Sequence, residues 1–384
     1  MLGAGVYVVF APAAKYAGSL LPLAVLMAAA VAYLNATSIA QLARVVTRSG
    51  GAYSYARHYL NPGIGYLAGM AFLIGKLGSV AAIALTFASY LAKGSEVLVA
   101  TAAIIGMTLI NIWGINRTAF GAKILASITI SFLTIVILAS AFAPGAAATL
   151  ESTSGLGVFT SAALLFFAFA GYARVATLGG EVENPAKAIP KAIAISLAIV
   201  FLIYLALSIV LPVKLGSSLS LSVTPIADLV EKVVPGVDGD SVGLFAAIAA
   251  LGSLLALIAG MSRTAATMAE DGELPHLLAQ VNSKGTPFIA EWLIAGLAIL
   301  LVAIGSVEFV IGLSSFAVLT YYASANLAAI RQPKSDSQRS KFFSFAGLLL
   351  CLALAISVPF SALALGSALL FIAVVLRWGL AKLR

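Results

Sequence analysis

Long apolar runs separated by short polar or basic connections dominate the chain, and within the runs polar and apolar residues do not alternate. Such runs read as helices rather than half-buried strands, and roughly 17 to 25 residues suffice to cross a bilayer. Segments of this kind fall near 18–44, 64–92, 95–112, 119–143, 157–178, 189–213, 242–262, 286–306, 309–330, 342–359 and 361–379, and a shorter one, 2–14, precedes them. In lipid every backbone N–H and C=O needs an internal partner, so the expected architecture is an all-α integral membrane bundle of about twelve helices. The one long polar connection, 213–241, contains TPIADLVEKVV. There Thr224 is expected to cap, and Pro225 to open, a short surface helix over one mouth of the bundle.

Composition agrees with that pattern. Of 384 residues, 62% are hydrophobic and 9% charged, and the mean hydropathy is +1.09; a soluble globule carries about 25% charged residues. The net charge of +8 is therefore first a matter of topology. With the first segment running outward, sixteen Lys and Arg residues fall in the loops and termini of one side, and only Lys15, Lys93, Lys214 and Lys232 on the other. That asymmetry places the basic loops and the C-terminus in the cytoplasm of a multi-pass protein of the cell membrane. It leaves no folded basic surface for nucleic acid. The lone Cys351 excludes a disulfide or a thiolate metal site, and no cofactor is expected. Met1 leads directly into apolar sequence without a basic stretch, so no cleavable signal peptide is expected. The apolar residues before Lys15 make about 21 Å of helix, short of a core of about 30 Å, so the first helix is expected to be truncated.

Two apolar segments carry weak spots. One is Gly3-Ala4-Gly5; the other, Phe169-Ala170-Gly171, lies 166 positions later. A helix in lipid is broken only where the freed groups face protein, a cavity or a ligand. Glycine-interrupted segments in corresponding positions of two halves point to a transporter site between inverted repeats. The alternative is that such glycines only let helices pack closely, as Gly65 and Gly69 do on that reading. The repeats would be helices one to five (1–143) and six to ten (144–331), with two extra helices in 332–384.

Two basic residues, Lys76 and Arg174, fall inside membrane segments. Lys76 stands at least twelve positions from either end of its segment, or about 18 Å, too far to snorkel comfortably. A lysine at that depth marks either a functional site or a structural contact to carbonyls. Enzyme chemistry has little to stand on. His58 and His276 lie in loops without ligand or triad spacing, and GMAFLIGK misses the phosphate-loop spacing and its Ser or Thr. A channel would favour a continuous polar pore instead of two interrupted helices.

The stretch FFAFAGYARVATLGGEVENPAKAIPKAI at 166–193 resembles the signature of amino-acid permeases of the amino acid, polyamine and organocation (APC) superfamily. GAGVYV at 3–8, SGGAYSYARHYLNP at 49–62 and SRTAATMAEDGELP at 262–275 follow in the order that family shows. The resemblance implies the LeuT-like five-plus-five inverted-repeat fold with two C-terminal helices. It also implies a permease moving amino acids by alternating access, or an amino acid or polyamine exchanger, as a monomer or homodimer. It assigns the substrate carboxylate to the N–H groups of Gly3, Ala4 and Gly5, and the substrate ammonium to the carbonyls of Phe169, Ala170 and Gly171. Phe167 resembles the aromatic residue that closes over the substrate, and Ser253 a small hydroxyl of the ion-site region.

Two departures from the family pattern matter. The cytoplasmic half-helix before Gly3 is missing, and the coupling lysine of proton-driven members is replaced by Thr129. Lys76 matches a third-segment position that faces substrate in arginine/agmatine exchangers, and it is expected to exchange the proton that Thr129 cannot. A lysine there would repel a second cationic group by about 4 kcal/mol at about 4 Å and an effective dielectric near 20. Neutral or acidic amino acids, moved with protons, are thus the expected substrates. Arg174 either pairs with a gate carboxylate or points to the cytoplasm, whereas Glu181 and Glu183 need no role beyond a connector in which Pro185 and Pro190 fix the turn.

Overall fold

A computed structural model describes residues 3–46, 50–114, 119–145, 155–171, 185–336 and 340–383. Arg174, Glu181 and Glu183 lie outside them. The described residues form fourteen α-helices and no strand. In chain order these are α1 (Phe10–Ala17), α2 (Leu21–Ala43), α3 (Ala52–Tyr59), α4 (Pro62–Leu91), α5 (Glu96–Ile112), α6 (Ala119–Phe142) and α7 (Gly155–Phe169). There follow α8 (Pro185–Leu215), α9 (Pro225–Val233), α10 (Gly239–Glu270), α11 (Phe288–Ile304), α12 (Val307–Arg331), α13 (Lys341–Ile356) and α14 (Phe360–Leu383). Six of the described helices are long and apolar enough to cross a bilayer, and four more apolar helices, α5, α7, α11 and α13, are shorter, at 15–17 residues.

Local chemistry sets the helix ends. Asn61 accepts a hydrogen bond from the Ile64 N–H at 2.9 Å, and Pro62 follows at the first position of α4, where its missing N–H costs nothing. Ser306 and Ser340 cap α12 and α13 in the same way. Pro225 opens α9 as expected, but Thr224 does not cap it. Its hydroxyl and that of Ser222 instead turn to the Asp228 carboxylate, at 3.3 and 2.5 Å, a stronger, charged acceptor.

The core is the set of contacts among α1, α2, α4, α7, α10 and α12. α4 and α12 pack closely. A Cβ on Gly75 would stand 3.0 Å from the Val318 nitrogen, and one on Gly78 would stand 2.9 Å from the Val310 carbonyl oxygen. Backbone thus meets backbone across the GKLGS stretch of α4, which fixes the rotation of Lys76. Around the rim, large apolar side chains such as Leu98, Leu138, Leu300 and Phe371 are exposed, an outward face suited to lipid and unusual on a soluble protein. The molecule is a multi-pass membrane protein.

The short helix α3 was not among the expected segments. Its buried face, Tyr53, Tyr55 and Ala56, packs on α4 and α12, and its basic end joins a charge cluster. Arg57 pairs with Glu273 at 2.5 Å, Arg377 reaches the same carboxylate at 2.8 Å, and the Tyr53 hydroxyl donates to Asp271 at 2.6 Å. Burial first, and then the bond to Asp271, push the Tyr53 pKa up, so it remains a donor. At the opposite end, Lys15 and Tyr16 of α1 both bond Glu308 of α12, at 2.9 and 2.5 Å.

Candidate functional site

The first weak spot is a change of backbone. Gly3 is extended, with φ −152° and ψ −155°, and Ala4–Tyr7 make a single 3-10 turn. Of Gly3 to Gly5 only Gly3 is extended, and the Gly5 carbonyl already accepts from Val8 and Val9 at 3.3 and 3.0 Å, leading into α1. Tyr90 of α4 holds this turn from the side. Its hydroxyl donates to the Tyr7 carbonyl at 2.8 Å and accepts from the Ile226 N–H of α9 at 3.3 Å.

The second weak spot ends a helix. α7 stops at Phe169, and the Ala170 N–H is shared between the carbonyls of Phe166 and Phe167 at 3.0 and 3.3 Å, the bifurcated arrangement common at helix ends. Gly171 follows in a turn. Tyr204 of α8 bonds the Ala168 carbonyl at 3.3 Å and packs edge-on to Phe169 with ring centroids 5.0 Å apart. The Phe169 side chain is thereby fully buried.

The two spots meet across a cavity of about 200 Å³. Its wall includes Gly3, Ala4 and Gly5 from the first break and Phe167, Ala168 and Gly171 from the second; Lys76, Ser79 and Ile83 come from α4, and Ser253, Ala256 and Leu257 from α10. Space is tight at Gly3 and Gly5. A Cβ on Gly5 would stand 3.2 Å from the Ala168 Cα, and one on Gly3 would stand 2.5 Å from the Ser253 oxygen. Ser253 also donates to the Ala249 carbonyl of its own helix at 2.7 Å, so its hydroxyl serves the helix and the cavity wall together.

Lys76 is 5% exposed and donates to the Ala170 carbonyl at 3.3 Å. Among the described residues it is the one ionisable side chain in the cavity wall. Ser79, one turn along α4, is held by Gly75 O at 3.1 Å and Ser314 Oγ at 2.7 Å.

Not every residue expected at the site is found here. Ala170 contributes its carbonyl to Lys76 without lining the cavity, Phe169 points into the core, and Arg174 lies outside the described residues. Thr129 is buried on α6 and is not part of the cavity wall. Ser79, Ile83, Ala256 and Leu257 were not anticipated. Each stands three, four or seven positions from Lys76 or Ser253, and helical periodicity applied to those two residues would have found them. Among the described residues no cluster of His, Cys, Asp or Glu has the grouping of a metal site.

Comparison with known proteins agrees with the geometry. The family model described as "Amino acid permease" matches residues 1–379. An uncharacterized transporter of Mycobacterium tuberculosis is 40% identical, over 97% of this chain and 86% of its own length. A branched-chain amino acid permease of Bacillus subtilis is 23% identical over 91% of this chain and 81% of its own. A methylthioribose transporter of the same organism is 28% identical over 76% and 69%. These names indicate a transporter and not an enzyme. With nearly its whole length matched and its two interrupted segments gathered at one cavity, the chain belongs to the amino acid permease family.

Proposed function

We propose that the protein moves neutral or acidic amino acids across the cell membrane by alternating access around this cavity, with protons as the coupled ion and the basic end of the bundle in the cytoplasm. One observation carries the reading: two segments 166 positions apart in the chain, together with a buried lysine, line a single small cavity. In an apolar bundle, broken backbone and a buried cation are costly unless something polar passes through. The N–H groups of Gly3, Ala4 and Gly5 receive the substrate carboxylate. Phe167, 3.3 Å from the Cβ position of Gly5, covers the substrate.

The inverted repeat, 1–143 against 144–331, is supported by which helices touch. If α1, α2, α4 and α5 are counterparts of α7, α8, α10 and α11, each packs against its own counterpart, as elements related by a two-fold axis through their shared interface do. The last two helices, in 332–384, both pack on α12, α13 also on α2 and α14 also on α4.

Lys76 is the coupling candidate because it ties α4 to the end of α7 through Ala170. Gaining or losing its proton changes that tie. The test is accelerated exchange in proteoliposomes across a panel of amino acids, with and without a pH gradient. Saturable counterflow is expected, with net uptake driven by protons and indifferent to sodium. Flux without counterflow would indicate a channel, and sodium-driven uptake would remove the proton from the scheme.

A further inference from the structure

We infer that Glu291 is a proton-binding site separate from the cavity: its carboxyl is neutral in this arrangement, and it gives up the proton when α10 moves against α11. The link to transport rests on the alternating-access reading; the proton itself does not. Glu291 stands in the first turn of α11 and is fully buried. Its Oε1 lies 3.1 Å from the Ser262 hydroxyl of α10, and its Oε2 has no hydrogen-bond partner. Among the described residues the groups that act on the carboxyl are Ser262, Asn111 of α5 and Arg263 of α10, with no backbone N–H of its own turn. Arg263 is exposed, so its charge is solvated. Asn111 donates to the Leu255 carbonyl of α10 at 3.1 Å, a neutral bond across the same seam. The other elements packed on α11 are α4 and the turn His276–Ala279, which present apolar side chains such as Leu73, Ile74 and Leu278. His276 itself is exposed.

The serine decides the protonation. A hydroxyl has one hydrogen, and that of Ser262 faces two acceptors at 3.1 Å, the Ala259 carbonyl and Glu291 Oε1. With a proton on Oε1 both bonds are made: the acid donates to Ser262, and Ser262 donates to Ala259. Oε2 is then the carbonyl oxygen of a neutral acid, which tolerates the lack of a partner better than a carboxylate oxygen does. Without that proton Ser262 serves one acceptor or the other, and a negative charge is left buried with one oxygen undonated. Release of the proton to water therefore goes with opening of the α10–α11 seam. α10 also carries Ser253, Ala256 and Leu257 of the cavity wall. A movement of α10 that reshapes the cavity breaks the contact between Ser262 and Glu291, which ties the proton to the transport cycle.

The test uses the reconstituted full chain. Infrared spectra at neutral pH, in water and in deuterium oxide, should show a protonated carboxyl band that deuterium shifts and that Glu291→Gln lacks. Ser262→Ala should keep the band and move it to higher wavenumber, because the acid has lost its acceptor. A Glu291→Gln spectrum identical to wild type in this region would overturn the inference, and so would a band unmoved by Ser262→Ala. The functional arm is exchange of alanine, leucine and glutamate at equal pH on both sides. Wild type should slow by up to about tenfold for each unit of acidification, the change in the ionised fraction of the carboxyl, and Lys76→Met should slow in the same way. Glu291→Gln, neutral at every pH, should exchange at the acid rate throughout. Exchange by Glu291→Gln at the wild-type rate at every pH would also overturn the inference. Exchange of none of the three amino acids by wild type would end the transport reading instead, and the infrared spectra would still decide the proton.

Discussion

The two breaks differ in what they leave free. At Gly3–Gly5 the chain changes from extended to a 3-10 turn and comes close to Ala168 and Ser253, with Cβ positions 3.2 and 2.5 Å from them. At the end of α7 the carbonyls of Ala168 and Ala170 are taken by Tyr204 and Lys76. A pair of symmetric breaks would offer donors to one end of a zwitterion and acceptors to the other. Here two carbonyls at the end of α7 are held by side chains from α8 and α4. Two segments of similar sequence character thus acquire different chemistry from their neighbours.

The most damaging change to that comparison is Gly5→Leu. Its side chain would enter the space between the Ala168 backbone and Phe167, both within 3.3 Å of the Cβ position. Overpacking of this kind costs about 1–3 kcal/mol, which is roughly 5- to 150-fold where it falls on affinity. Binding isotherms on the protein that remains folded should show that loss, with a lower thermal midpoint beside it; unchanged affinity would remove the first break from the site.

Lys76→Met acts at the second break. Uptake driven by a pH gradient should fall by about tenfold while exchange continues, since a group that carries the proton contributes of that order or more. An unaltered pH dependence would return Lys76 to a structural role.

Gly78→Leu sharpens the contrast by disturbing the α4–α12 seam away from either break. With Val310 O and Ser314 N at 2.9 and 3.0 Å from its Cβ position, destabilisation of about 1–3 kcal/mol is expected. It should appear as a lower thermal midpoint in detergent, with substrate preference unchanged in the protein that remains folded. A normal midpoint would mean that the helices separate easily.

Tyr204→Phe is the mildest. It removes a neutral hydrogen bond of 3.3 Å to Ala168, worth about 0.5–1.5 kcal/mol. Its ring, packed against Phe10 and Phe169, is retained. Exchange should change by less than about tenfold; complete loss would show that the acceptor end depends on Tyr204 more than on Lys76.

Much of this was legible in the sequence because lipid enforces simple rules. Apolar runs of spanning length became α2, α4, α8, α10 and α12, with ends within a few residues of those expected except at the C-terminal end of α10, which runs eight residues past 262. The two glycine-interrupted spots and Lys76 stood out because broken helices and buried charges are rare in such a setting. What stayed hidden depended on partners. α3 reads AYSYARHY, too short and too polar for a span, and is held by contacts to α4 and α12 that no local pattern announces. The side chain of Phe169 turns to Tyr204, the Thr224 hydroxyl to Asp228, and the Lys76 ammonium to a carbonyl 94 positions away. Each choice was made between residues far apart in sequence or among several local acceptors.

Whether substrate sits between the two breaks can be measured directly with a cysteine placed in the cavity. Cys351 is the chain's one cysteine and is fully buried, so Ala256→Cys introduces a reporter on the α10 wall, and Ser95→Cys, on an exposed position, serves as a control. The rate of thiol modification is followed with and without the carboxylate that gives the fastest counterflow. At about ten times its Kd the substrate should slow modification at Ala256→Cys roughly tenfold by occupancy alone, and leave Ser95→Cys unchanged. Equal rates at Ala256→Cys with and without saturating substrate would contradict the account.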